Sequence, residues 1–186
     1  MNFLQRIFGS AEESPEEKKK ETEARQFDAL KYDGIAALKI GQVNYAVTCF
    51  SHALQLRDDL EIHDHLSVAY IHQNQMANAV NELRLLADAQ PDNQAVWVRM
   101  ARVCYMMEDY DQMAEACERA EAVGAGSAEV SYLYAEARQG QGDKEAAVAL
   151  LGEAIARDEH HGAAYLLRGQ ILMEMDRLEE AETDAD

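Results

Sequence analysis

The sequence predicts an all-α fold, a solenoid of about five helix-turn-helix units, and three observations predict it. Gly34, Ser67, Ala101, Ala135 and Gly169 recur 33 and then 34 residues apart, a column of small residues on the first helix of each unit. Twelve residues on, Ala46, Ala79, Met113, Ala147 and Ala181 form a second column, followed after seven more by Ala53, Leu86, Ala120 and Ala154. Helix axes approach to about 8–10 Å where the side chains at the crossing are small. A fixed period in this range marks a solenoid, in which no unit buries its apolar face alone. Finally, the chain has only two prolines and no sustained alternation of Val, Ile and Thr, so strand signals are absent.

The unit is plainest from Gln94 to Ala122: one amphipathic helix to Met107, a Glu108-Asp109 corner, then a second helix from Tyr110. Large residues fill the space around the small columns, among them Leu30, Trp97 and Tyr165 on the first helices. Phe50, Leu83, Cys117 and Leu151 do so on the second. Upstream, residues 1–8 place Phe3, Leu4, Ile7 and Phe8 at helical spacing. The segment is too short to span a membrane and lacks the features of a secretory signal. It reads as a docking peptide for a partner or a membrane surface, or as a segment that folds back or frays. After Gly9-Ser10, the run Ser14-Pro15-Glu16-Glu17 carries the signals of a helix start: a Ser cap, Pro at the first position, and Glu17 placed to reach back.

No breaker follows before Gly34, so the first helix is expected to run several turns past its unit toward the N-terminus. Lys18-Lys19-Lys20 lies among Glu16, Glu17, Glu21 and Glu23 and reads as a self-paired solvated face. The expected division is residues 1–26 as an apolar segment and helical extension, then a repeat domain over 27–186 whose fifth unit is incomplete. Gly124 and Gly126 suggest a flexible joint with left-handed backbone. From Asp158 to Asp186 there are nine acidic and two basic residues. Solenoids end on a polar capping helix, and this end is expected to be covered by further sequence or by a partner.

At these columns and at the corners Gly41-Gln42-Val43, Asn74-Gln75-Met76, Glu108-Asp109-Tyr110, Gly142-Asp143-Lys144 and Asp176-Arg177-Leu178, the chain resembles the tetratricopeptide repeat family. The resemblance covers Phe27 to Asp186. His63 and Ser131 depart from it, standing where an aromatic is usual, as does Met113 in place of Ala; looser packing is expected in the second and fourth units. The resemblance implies a right-handed superhelix whose first helices line a concave face that holds protein ligands.

The formal charge of −18 argues against nucleic acid, since phosphate contacts need a clustered basic surface. Cys49, Cys104 and Cys117 are odd in number and fall on core-facing positions, as reduced thiols of a cytoplasmic protein would. No Gly-rich phosphate loop, GxSxG, CxxC or HExxH occurs, and no cofactor is expected. His63 lies on the opposite helical side from His65 and His72, so no metal site is expected. His160-His161 reads as a surface turn between units.

What remains is the face left over by the core stripe. The candidate groove residues on it are Lys31, Tyr32, Lys39, His65, His72, Val98, Arg99, Arg102, Tyr105 and Tyr132. Arg99, Arg102 and Tyr105 recur every three residues and share a helix face, where guanidinium groups can take a carboxylate. The alternative is that each arginine pairs with Asp64 or Glu136 of a neighbouring unit. The resemblance also implies comparison with relatives that clamp a C-terminal carboxylate of chaperone tails. Lys31 and Arg99 match that clamp, while Ile35, His65 and Ala95 replace its other members. The expected function is a non-catalytic protein-binding module, an adaptor or assembly factor for a protein or peptide with an acidic or carboxylate end. The alternative is a structural subunit that self-associates as a homo-oligomer through its N-terminal segment or its C-terminal face.

Overall fold

The computed structural model describes residues 14–124 and 126–184; the expected N-terminal docking segment, residues 1–8, lies outside them. Among the described residues there are ten helices and no strand. They are α1 (Pro15–Lys39), α2 (Val43–Leu56), α3 (Leu60–His72), α4 (Met76–Ala89), α5 (Gln94–Met106), α6 (Tyr110–Val123), α7 (Ala128–Gly140), α8 (Lys144–Arg157), α9 (Gly162–Glu174) and α10 (Leu178–Thr183). Two compact units are distinguished by their packing, one running to Ile62 and the other starting at His63.

In the first unit α1 packs on α2. Its start follows the expected chemistry: the Glu17 amide donates to Ser14 Oγ at 3.2 Å and the Ser14 amide to Glu17 Oε2 at 2.7 Å, a reciprocal cap. Lys20–Glu16 and Lys19–Glu23 pair along the same helix, as the charge spacing predicts. Gly34 is buried against Phe50, which is wholly enclosed together with Ala46 and Ala53. Asp59 heads α3, its Oδ1 accepting from the Glu61 and Ile62 amides at 3.0 and 3.2 Å.

In the second unit α5 packs on α6, α7 on α8 and α9 on α10, while α6–α7 and α8–α9 contacts join one hairpin to the next. The small columns are the crossings: Ser67, Ala101, Ala135, Ala79, Ala147, Ala120 and Ala154 are at most 1% exposed. Met113 is also fully enclosed, so the second column tolerates one long flexible side chain. Gly169 breaks the pattern, since a Cβ there would meet nothing within 4 Å. The fifth hairpin is therefore not closed at its first column.

All five corners share one hydrogen bond that spans five residues. Gln42 N–H donates to Ala37 O, Gln75 to Tyr70, Asp109 to Cys104, Asp143 to Arg138 and Arg177 to Leu172, at 2.8 to 3.0 Å. This is the Schellman closure, which requires a left-handed residue just before the donor. Gly41, Asn74, Glu108, Gly142 and Asp176 supply it, with φ between 56° and 84°. Of the two glycines expected to give a left-handed joint, Gly124 is extended, with φ −117°, and Gly126 has a positive φ, 26°.

The looser packing expected at His63 and Ser131 is not what the structure holds. His63 Nδ1 meets Glu82 Oε2 at 2.5 Å, and Ser131 accepts from Arg157, which also approaches Glu121 at 3.5 Å. Polar pairs replace aromatic packing at both positions. Among the described residues no buried side-chain polar atom lacks a partner.

Candidate functional site

The candidate residues divide between the two units. In the first, Lys31 is not an open cation. Its ammonium lies 2.7 Å from Glu61 and 3.1 Å from Asp59, with its side chain 16% exposed. Burial alone would lower its pKa, but hydrogen bonds to Glu61 and Asp59 outweigh that and hold it above the ordinary lysine value. Tyr32 is 70% exposed and Lys39 exposed at the end of α1.

In the second unit the first helices of successive repeats come together as the sequence suggests: α5 touches α7 directly. Between them lie two open cavities that share a wall. One, of about 480 Å³, is lined by Gln94, Ala95, Val98, Arg99, Arg102, Ser127 and Glu129. The other, of about 380 Å³, is lined by Arg102, Tyr105, Met106, Glu129, Tyr132, Leu133 and His161. Arg102 and Glu129 belong to both. Of the candidates, Val98, Arg99, Arg102, Tyr105 and Tyr132 are thus brought together. His65, half-buried, and His72, exposed, line neither cavity.

The two arginines are already engaged. Arg99 donates to Asp64 Oδ1 at 2.5 Å and to Ser67 Oγ at 3.2 Å, the pairing named as the alternative. Arg102 pairs with Glu129 and not with Glu136. An incoming carboxylate would therefore exchange with an internal one and would not meet a bare guanidinium fork. Arg102 and Glu129 are both about half exposed, where such pairs contribute about 0–1 kcal/mol, so this exchange is cheap.

The second cavity has aromatic walls. Tyr105 and Met106 are 46% and 59% exposed there, far more apolar surface than a solvated helix needs. The Tyr132 and His161 rings stack with centroids 5.0 Å apart and planes inclined by 28°. The Tyr132 hydroxyl donates to Glu136 Oε1 at 3.1 Å, one helical turn on. Burial raises the Glu136 carboxyl above its ordinary value, although Tyr132 and Arg102 act the other way. Burial and the Glu136 charge together push the Tyr132 phenol up to about 12.

His161 is the functional candidate that sequence reasoning missed. It caps α9, its Nδ1 accepting from the Ala164 amide at 3.2 Å, and the cap turns its ring into the cavity. Gln94 was missed as well; its amide bridges to Ala120 O at 2.9 Å and so holds the head of α5 against the end of α6. Neither role has a signature within one repeat, because each depends on what the next repeat brings up.

A third cavity, of about 530 Å³, opens between α9 and α10. It is lined by Tyr165, Leu166, Gly169, Gln170, Met173, Leu178, Ala181, Glu182 and Asp184. Leu166, Met173 and Leu178 around it are 70%, 54% and 58% exposed. Among the described residues no group of three His, Cys, Asp or Glu is placed to hold a metal ion. Among them, too, no helix is long and apolar enough to cross a membrane.

Comparison with known proteins agrees with this architecture. Residues 138–183 match the tetratricopeptide repeat family model. No curated protein matches the chain in sequence. Among solved structures, a MamA protein superposes with a TM-score of 0.80 at 15% identity, over 87% of this chain and 88% of its own. MamA 41-end from Desulfovibrio magneticus RS-1 gives 0.77 at 16%, over 86% and 90%. MamA MSR-1 gives 0.70 at 20%, over 86% and 92%. The tetratricopeptide resemblance and the helical-repeat solenoid are both borne out; identities this low speak for the fold alone.

Proposed function

We propose that this protein, a tetratricopeptide-type helical solenoid, is a non-catalytic protein-binding module that holds an extended segment of a partner along the first helices of its third to fifth repeats. One observation carries this reading: the two cavities that meet at Arg102 and Glu129, polar on the Gln94 side and aromatic on the Tyr105 side. A continuous seat of this kind, with apolar anchors exposed and polar groups at the rim, is what a peptide needs. Val98, Arg99, Arg102, Tyr105 and Tyr132 are its contact residues, and a carboxylate of the ligand enters by exchange with Glu129. Lys31, Tyr32 and Lys39 in the first unit, and His65 and His72 in the second, are separate candidate contacts outside these cavities. The buried free thiols Cys49, Cys104 and Cys117 support placement in a reducing, cytoplasmic compartment.

The test is peptide display. Random peptides selected on the intact chain are compared on a Met106→Glu variant, whose exposed position leaves the fold intact. Loss of at least about tenfold in affinity, or about 1.4 kcal/mol, is expected. Equal retention by the variant moves the site elsewhere.

The cavity between α9 and α10 favours a second reading, self-association as a structural subunit through that face. Sedimentation equilibrium of a Leu166→Glu, Met173→Glu variant decides it. A mass that falls toward the monomer supports the reading, and a mass unchanged from the parent's sinks it.

A further inference from the structure

The aromatic cavity differs in charge from what the arginines beside it suggest. Arg102 spends its charge on Glu129, the acid that shares both cavities with it. His161 uses the lone pair of Nδ1 to accept from Ala164, so that nitrogen carries no proton in this arrangement. Left over is Glu136, half-buried behind Tyr132 and hydrogen-bonded there by a neutral phenol. Its charge reaches both tyrosines of the cavity, being the largest influence on the Tyr105 phenol and the second largest on that of Tyr132. The wall therefore holds one balanced ion pair, two phenol rings, an imidazole, a thioether and the Leu133 side chain. The nearest further charge is Glu136, which stands behind the wall on the Tyr132 hydroxyl.

We infer that the cavity lined by Tyr105, Met106, Tyr132 and His161 takes a cationic side chain, a lysine or arginine of the bound partner segment, with Glu136 as its counter-charge. The inference rests on the peptide-binding reading above and adds to it a cationic anchor in the aromatic cavity, beside the ligand carboxylate proposed for Arg102. Three physical terms act together. Aromatic faces attract a cation, the more so when it is partly desolvated. A half-buried carboxylate whose hydrogen bond comes from a neutral hydroxyl, with Arg102 acting on it through space, gains a charge-assisted partner. The chain's net charge of −18 draws cations toward it at long range. The volume, about 380 Å³, suits one long side chain with part of its backbone and lies near the small end of ligand pockets, about 300–1,000 Å³. Arg102 is the opposing charge on this wall, and its pairing with Glu129 is what leaves the seat open to a second cation.

The experiment is an amide chemical-shift titration of the intact chain at physiological salt. The probes are the single-residue derivatives N-acetyl-arginine methylamide, N-acetyl-lysine methylamide and N-acetyl-glutamate methylamide, each up to about 10 mM, where millimolar affinities register. At least one cationic probe is expected to shift Tyr105, Tyr132, Glu136 and His161 together, with the glutamate probe silent there. Glu136→Gln keeps the acceptor for Tyr132 but removes the charge, and is expected to weaken the cationic probe about tenfold. The same spectra report whether that variant is folded. Shifts spread over the acidic surface, shifts unaltered in Glu136→Gln, equal shifts from the glutamate probe, or silence from both cationic probes each overturn the inference. If it falls while display-selected peptides still lose affinity on Met106→Glu, the groove reading stands without it. If selected peptides ignore Met106→Glu, the groove reading fails on its own account.

Discussion

Gly34 lies flat against the ring of Phe50. A Cβ placed on Gly34 would stand 2.5 Å from Phe50 Cε1 and 2.7 Å from Cδ1, inside van der Waals contact, and Phe50 is wholly enclosed. Inside a helix, Gly to Ala ordinarily gains about 1 kcal/mol. Here the overpacking term wins, and Gly34→Ala is expected to destabilise by about 1–3 kcal/mol. Gly169 occupies the same column of the fifth repeat with nothing within 4 Å, so Gly169→Ala is expected to stabilise. Urea melts of the two variants check both signs. Two shifts in the same direction would refute the column argument.

Asp59 gives the first unit an acid limb. Burial by itself would raise its carboxyl, but Lys31 and the Ile62 and Glu61 amides outweigh that and hold it below the ordinary 3.8. A depressed carboxyl contributes stability that is present above 3.8 and lost as pH falls through the folded value. Lys31, raised above 10.5, contributes below that pH and loses its contribution as pH rises through its folded value. Asp59→Asn keeps the cap to α3 and removes the charge. Its melting temperature is expected to trail the parent's at neutral pH and to converge with it below pH 3.8. A gap that stays constant down to acid pH would show the charge to be irrelevant.

His63 and Glu82 are expected to stand or fall as a pair. Both side chains are mostly buried, 12% and 16% exposed, and they meet at 2.5 Å. His63→Ala takes the imidazole from a mostly buried carboxylate and is expected to cost about 1–3 kcal/mol. Replacing both, His63→Phe with Glu82→Leu, restores the aromatic of the repeat pattern and is expected to recover most of that loss. Chemical denaturation of His63→Phe, Glu82→Leu and the variant that combines them reads the coupling directly. Additive losses would mean the contact contributes nothing.

Cys104 and Cys117 are expected to be chemically silent in the folded protein. Burial pushes the Cys104 thiol up to about 11 and the Cys117 thiol up to about 12, and the thiolate is the reactive form. Labelling with Ellman's reagent at pH 8 should follow unfolding. Rapid labelling of either residue under native conditions would contradict its burial.

Much of the fold is legible in the sequence because it is local. Ser14 and Glu17 cap a helix three residues apart, and the crossing columns repeat in phase, so neither needs a third dimension to be read. Glu108 is harder: it is a poor choice for a left-handed backbone, unlike Asn74 and Asp176, and its register with Gly41 and Gly142 marks it as a corner. The site was half legible. Arg99, Arg102 and Tyr105 share a face by helical arithmetic alone. Which acid each arginine meets does not follow from it. Asp64 lies 35 residues before Arg99 and Glu129 lies 27 after Arg102, separations set by how repeats stack. The same reason hides His161, a histidine in an apparent surface turn until α9 packs on α8 and its cap ring stacks on Tyr132.

Helix α5 reaches both ways along the stack. Arg99 holds Asp64 on the first helix of the preceding repeat, and Arg102 holds Glu129 on the first helix of the following one. The Arg102–Glu129 pair is about half exposed, where such a pair contributes about 0–1 kcal/mol and fades with added salt. The Arg99–Asp64 pair is partly buried and is screened less. The apolar packing beneath them does not fade. Three repeats are thus joined by stiff hinges with soft latches, and the latches sit on one helix. A ligand that takes Arg102 from Glu129, or a rise in ionic strength, slackens the spacing on this face without melting a helix.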